Sequence, residues 1–311
     1  MEKVNCNLCG GNNDAEVYND GQIRVVMCND CSLVYLNPRP SQEEYKKYYN
    51  KDYQRKRHHF TEYSQIIEKI EKKNSYAKKE TRAKDFLKYL NENSRVLEIG
   101  SGWGTMLKVI RDRFNCQVLG IEISELAAQV AKKYYSLDVR HQMFEEYLEE
   151  NYGEKFNLIL MVHVLEHFSD PNFILKRVVE ILSDDGYLYI AVPNLAAPDE
   201  PLDGFFRMEH CYYFTLLTLN NLLKKCGLKI IEIKISPNDI RIIAVKKENS
   251  GKEIDTNDFE IEYGKKEILK IIKKQARKYK FLRFGQKVLK SILPEKIFNR
   301  LKKVALNALN S

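Results

Sequence analysis

Between Ser94 and Lys246 the chain alternates short apolar runs with amphipathic stretches, and nothing else in it limits the fold as tightly. The runs RVLEIG, QVLGIEI, DVRHQ, FNLILMVHV, YLYIAVP, KIIEIKI and RIIAVKK read as seven strands. Helical periodicity fills 103–113, 124–135, 171–182 and 215–226 between most of them. Strands this continuously apolar suit a sheet covered on both faces, so the expected class is α/β, with a seven-stranded, mostly parallel sheet between two helical layers. Only SPND joins the last two strands, too short for a crossover helix, so the last strand should run antiparallel.

The first of these strands ends in VLEIGSGWGTML, where Gly100, Gly102 and Gly104 alternate with Ser101 and Trp103. A glycine-rich turn between a strand and a helix brings backbone N–H groups to the carboxyl edge of the sheet, where α/β folds bind ligands. The spacing matches the start of the dinucleotide fingerprint and fails its end, because Thr105 or Leu107 stands where the last glycine belongs. That disfavours a pyrophosphate. About 20 residues on, GIEIS ends the second strand with Glu122, a carboxylate able to accept from both hydroxyls of a ribose. An adenosyl ligand without a pyrophosphate is S-adenosylmethionine, and Glu98 adds negative charge where its cationic amino-acid end would lie. Taken singly, each acid reads equally well as an exposed strand end.

Residues 94–246 resemble a class I S-adenosylmethionine-dependent methyltransferase, a Rossmann-like fold. VLEIGSGWG is similar to that family's first motif, FNLILMVHVLEHFSDP to the fourth-strand segment of its small-molecule branch, and DGYLYIAVPN to the fifth. The resemblance implies that Glu98 and the turn Gly100, Ser101, Gly102 and Gly104 face the methionine part, and that Glu122, with Ile123 beside it, holds the ribose. It also implies that Met143 and Phe144 border the adenine and that His163 lies by the cofactor. An Asp common in the family near Met143 is missing here.

Cys6 and Cys9 form one C-x2-C pair and Cys28 and Cys31 another, 18 residues apart. In a reducing compartment this spacing predicts a structural zinc site, with every coordination position filled by thiolate. The knuckle, a following tyrosine-bearing segment (Tyr48, Tyr53), the core and Glu209-His210 together resemble methyltransferases acting on saccharides tied to a nucleotide, a lipid or another carrier. In that group a Tyr-x-Glu-His segment supplies the base. Glu209 and His210 carry over as the catalytic pair, while Arg207 replaces the tyrosine and becomes a candidate for an acidic or phosphorylated substrate. His167 and the two tyrosines join it as substrate candidates. Transfer to oxygen is expected over transfer to carbon.

The net charge of +8 is uneven: 263–311 carries 15 Lys or Arg against Glu267 and Glu295, a balance of +13 that leaves about −5 for the rest. An acidic body, and a knuckle region whose cations through residue 34 are Lys3 and Arg24, argue against nucleic acid as the partner. The resulting division is a zinc module (1–40), a helical cap (41–93), the cofactor-binding domain (94–247), a polar linker (248–262) and a basic amphipathic tail (263–311). Such a tail can lie on an anionic membrane surface, pack on the core or join a second copy in a homodimer. With no apolar run near the roughly 20 residues of a membrane span, the expected location is cytoplasmic, peripheral on the inner membrane face if the tail docks there.

Overall fold

The computed structural model describes residues 1–45, 63–72, 74–151, 153–198, 200–236, 238–249 and 264–292, with side chains through 279 in the last stretch. Three antiparallel strands open it: β1 (Asp14–Asn19), β2 (Arg24–Cys28) and β3 (Val34–Leu36). Helices α1 (Tyr63–Lys72) and α2 (Ser75–Ala83) follow, parted near Asn74, whose backbone is left-handed.

The α/β core then runs β4 (Arg95–Ile99), α3 (Thr105–Phe114), β5 (Gln117–Glu122), α4 (Glu125–Tyr135), β6 (Asp138–His141), α5 (Phe144–Glu150), β7 (Phe156–Val162), α6 (Pro171–Ile181) and β8 (Leu182–Pro193). After it come α7 (Leu202–Phe205), β9 (Tyr212–Tyr213), α8 (Leu216–Lys225), β10 (Leu228–Ile235), β11 (Asp239–Lys246) and α9 (Lys265–Ile292). Seven strands make the main sheet in the order β10-β11-β8-β7-β4-β5-β6. β11 pairs antiparallel with both neighbours, so β10 runs with the parallel set and β11 alone opposes it.

The alternation of side chains along the strands divides the core into two layers. Leu97, Ile99, Ile159 and Met161 face α5, α6 and α8, while Val96, Leu158 and Leu160 face the layer holding α1 to α4. Each of these is 1 % exposed or less, and complete burial of such a side chain contributes roughly 1.5–3 kcal/mol.

Two sets of contacts bear on the first and last segments. The sheet of the 1–40 segment is completed by β9 of the core: β3 pairs with β9 through Val34↔Tyr213 and Tyr35↔Tyr212. Lys225 also donates to the carbonyls of Asn7 (3.1 Å) and Leu8 (2.8 Å) inside the first knuckle. The start of the tail packs on the core, one of the three placements open to it. Ile268 and Ile272 are buried in the main core, and Gln275 donates to the carbonyls of Pro198 (2.6 Å) and Glu200 (3.1 Å). The remainder of the basic tail, from residue 293 on, lies outside the described residues.

Candidate cofactor and acceptor site

The glycine turn sits at the carboxyl edge of β4, in the middle of the sheet. Gly100, Gly102 and Gly104 all have left-handed backbones, with φ of 70°, 54° and 74°. At Gly104 a side chain is also excluded by space, since a Cβ there would lie 2.7 Å from Leu137 Cδ1 and 2.8 Å from Ala131 Cβ. The helix start thus touches α4 directly. Glu122 closes the turn: its carboxylate accepts from Gly102 N (2.7 Å) and from Ser124 N (2.7 Å). Burial pushes this carboxyl up, and the two N–H groups oppose the rise.

A cleft opens beside the turn, lined by Gly100, Glu122, Ile123, Met143, Phe144, His163 and His167 among the expected residues. Glu98, Ser101, Gly102 and Gly104 do not line it. Glu98 lies behind the turn, 3 % exposed, its carboxyl pushed up to about 8 by burial, against the pull of Lys79 and with the push of Glu122. Sequence reasoning missed Gln42, Tyr45, Gln142, Phe168 and Ser169 in the lining. Gln142 stands out among them, because its side-chain Nε2 is buried without a hydrogen-bond partner next to Met143. A buried amide costs free energy until it is satisfied, and an adenine edge offers both an acceptor and a donor. Its place directly before Met143, where the family's Asp was sought, was the available signal.

The acceptor end is built around β7 and the 3-10 turn Leu165–His167 that follows it. His163, with a left-handed φ of 55°, donates its backbone N–H to Ala191 O, and its Nε2 stands 3.7 Å from Asp239 Oδ2. Burial would raise Asp239, but His163 and then Arg82, bonded at 2.7 Å, hold it well below the usual carboxylate range. Glu166 is 1 % exposed, and neither carboxylate oxygen has a hydrogen-bond partner. The Nδ1 of His167 donates to Glu209 O (2.8 Å). The His210 ring meets the His167 ring edge-on, with centroids 4.8 Å apart.

The expected catalytic pair is therefore displaced. His210 is buried at 6 % exposure behind His167 rather than in the cleft wall, and Glu209 offers its backbone carbonyl to His167. The side of Glu209 lines a neighbouring hollow with Pro40, Glu44, Tyr45 and Met208. The Arg207 guanidinium is bonded to Glu200 and the Gly204 carbonyl. Tyr48 and Tyr53 lie outside the described residues. Tyr45, three residues before Tyr48 in the sequence, donates its hydroxyl to Met208 O (2.7 Å) and so ties the start of the cap to the acceptor segment.

The four knuckle sulfurs converge. Cys6 and Cys31 Sγ are 3.4 Å apart, Cys9 and Cys28 Sγ 3.5 Å, and all four lie within 4.8 Å of one another. A zinc–thiolate tetrahedron has edges of about 3.8 Å, given bonds near 2.3 Å, so the cage fits that ion. The two knuckles share one geometry. Gly10 N donates to Cys6 O and Ser32 N to Cys28 O, with left-handed φ of 82° and 64° at the two donors.

A methyltransferase-domain family model matches residues 66–233, more than half of the chain. The chain belongs to the S-adenosylmethionine-dependent methyltransferases. It is similar to the ubiquinone biosynthesis O-methyltransferase of Bartonella quintana, 27 % identical over 183 residues that cover 53 % of this chain and 71 % of that one. The protein of the same name from a Chelativorans species is 30 % identical over 108 residues, 33 % of this chain and 42 % of its own. The O-methyltransferase cnsE of Penicillium expansum is 25 % identical, with coverage of 48 % and 57 %. A solved methyltransferase from Archaeoglobus fulgidus aligns over 58 % of this chain and 99 % of its own, at 18 % identity and a TM-score of 0.47, and the family assignment does not depend on it. No described helix is long and apolar enough to cross a membrane.

Proposed function

We propose that this methyltransferase methylates a hydroxyl oxygen of a small polyhydroxylated acceptor of the saccharide class. Oxygen as the target is supported by the relatives, which carry O-methyltransferase names. The single observation behind the acceptor reading is the seating of the Glu209-His210 segment against the cleft through the bond from His167 Nδ1 to Glu209 O. Glu122 would hold the ribose and Gln142 the adenine edge of S-adenosylmethionine, with Glu98 buried close to the turn rather than in the cleft wall. The cofactor supplies a methyl group on a sulfonium. In the displacement the methyl–sulfur bond breaks with its pair left on sulfur, the oxygen–methyl bond forms, and the hydroxyl gives up its proton. The residues' part is to hold the three atoms in line and to ease that loss. The Glu166, His167 and His210 cluster is where the loss would occur.

The four thiolates are proposed to hold Zn2+ as a structural ion. It would lock the β1-β2-β3 sheet, whose fourth strand, β9, begins two residues after His210.

A panel of saccharides, nucleotide-linked sugars and other polyols with labelled S-adenosylmethionine tests the acceptor. Turnover should be lost in His210→Ala while calorimetric binding of S-adenosylhomocysteine persists. Full turnover in that variant would refute the role of the cluster.

A further inference from the structure

Strand β7 ends at Val162 and hands the chain to His163, whose left-handed φ of 55° is a backbone that a residue with a Cβ adopts only at a cost. A bond from its N–H to Ala191 O (2.8 Å) fixes it at the carboxyl edge of the sheet. The next residue, Val164, fills the space that a side chain at Gly100 would need, its Cγ2 2.9 Å from where that Cβ would be. His163 therefore stands where the cofactor turn meets the acceptor end, lining the cleft with its side chain 39 % exposed. Backbone strain kept at such a place points to a task for the side chain.

The reversed strand supplies the second part. Parallel strands bring their last residues to the ligand edge, but β11 runs the other way and brings its first: Asp239 pairs with Pro193 at the end of β8. Ser236 Oγ donates to Asp239 Oδ1 (2.7 Å) and accepts from Asp239 N (3.1 Å), so the short connection pins the carboxylate. Arg82 of α2 bonds to Oδ2 at 2.7 Å, and Arg241 Nε lies 3.1 Å from Oδ1. Asp239 is buried, and its Oδ2 stands 3.7 Å from His163 Nε2, so a ring movement of less than about 1 Å makes a hydrogen bond. The other ring nitrogen, Nδ1, faces Oε1 of the buried Glu166 at 3.8 Å. A proton gained by this ring sits between two carboxylates, one of them partly offset by Arg82 and Arg241.

We propose that His163 takes the hydroxyl proton of the acceptor, and that Asp239, held by Arg82, is the positioning residue that orients its ring. With Nε2–H donating to Asp239, Nδ1 is the nitrogen presented to the hydroxyl. As the methyl–sulfur bond breaks and the oxygen–methyl bond forms, the proton passes from oxygen to Nδ1, and then to water in the cleft. Glu166 beside Nδ1 keeps this transfer at the place where the O-methylation reading puts the loss of the proton. The transfer rests on that reading; the pairing of His163 with Asp239 does not.

The test uses the full chain with ring-13C histidine and bound S-adenosylhomocysteine, titrated by NMR, with His163→Gln identifying the resonance. Asp239→Asn removes a negative charge and should move protonation of the ring to lower pH by roughly one pH unit. Arg82→Gln removes the offsetting cation and should move it the other way, an opposition that a purely structural role does not produce. Calorimetric binding of S-adenosylhomocysteine certifies the fold of each variant, and if Asp239→Asn fails to bind, Arg82→Gln alone decides. The same titration in wild type and variants overturns the pairing. With any polyol that accepts a methyl group, His163→Gln should lower kcat at least about 100-fold with KM little changed, and the acidic limb of kcat should move to lower pH in Asp239→Asn. Full kcat in His163→Gln overturns the proton transfer and leaves O-methylation standing. Ring shifts as expected, with no polyol accepting a methyl group, uphold the pairing and refute the transfer together with the O-methylation reading.

Discussion

Replacing Gly104 by Ala tests whether the cofactor turn is held by direct contact between the start of α3 and the side of α4. Two terms add. A residue with a Cβ at φ 74° incurs a left-handed penalty of about 1–2 kcal/mol. The new methyl would then stand 2.7 Å from Leu137 Cδ1 and 2.8 Å from Ala131 Cβ. Leu137 can turn its side chain away, but Ala131 is fixed on α4, so overpacking adds about 1–3 kcal/mol. Gly102→Ala is the internal control, because its φ of 54° carries the same backbone penalty while nothing lies within 4 Å of its Cβ. The gain from restricting the unfolded chain is common to both substitutions and cancels. Gly104→Ala should therefore be about 1–3 kcal/mol less stable than Gly102→Ala in urea unfolding followed by circular dichroism. It should also bind S-adenosylmethionine more weakly, since the displaced turn carries Gly100 and Glu122's partner Gly102. Equal destabilisation of the two variants would refute the close approach of α3 to α4.

Two other outcomes follow from buried groups. Glu98 has its carboxyl raised from 4.5 to about 8, so its stabilising contribution is complete below about pH 4.5 and is lost as pH rises through 8. In cofactor-free protein Glu98→Gln should flatten the fall in melting temperature between pH 5 and pH 8, and parallel curves for wild type and variant would exclude Glu98 as its source. Elemental analysis of purified protein should find about one zinc per chain at the four thiolates, with Cys9→Ser reducing it sharply. Full zinc content in that variant would place the metal elsewhere.

The main sheet was legible because its chemistry is local. Strand runs, helical periods and the short SPND connection each report on neighbouring residues, and all seven strands form where their apolar runs stand. The glycine turn and Glu122 were legible for a related reason, since parallel pairing of β4 with β5 puts the ends of successive strands side by side. Helix α5 leaves no such signal, because FEEYLEE is too short for a clear period.

What the linear order could not settle is which distant groups meet. Cys6, Cys9, Cys28 and Cys31 announce a metal cage by their spacing, yet nothing in that spacing says that the cage's sheet ends in a strand two residues beyond His210. Arg207 looks like an anion binder until the loop folds Glu200 against it. Ile268 and Ile272 form a membrane-like stripe by sequence, but the core offers an apolar seat nearer than any bilayer. Periodicity and turn chemistry are properties of a few consecutive residues and survive in the sequence. Burial, ion pairing and the meeting of Glu166, His167 and His210 depend on the packing of elements far apart in the chain, and only the tertiary structure decides them.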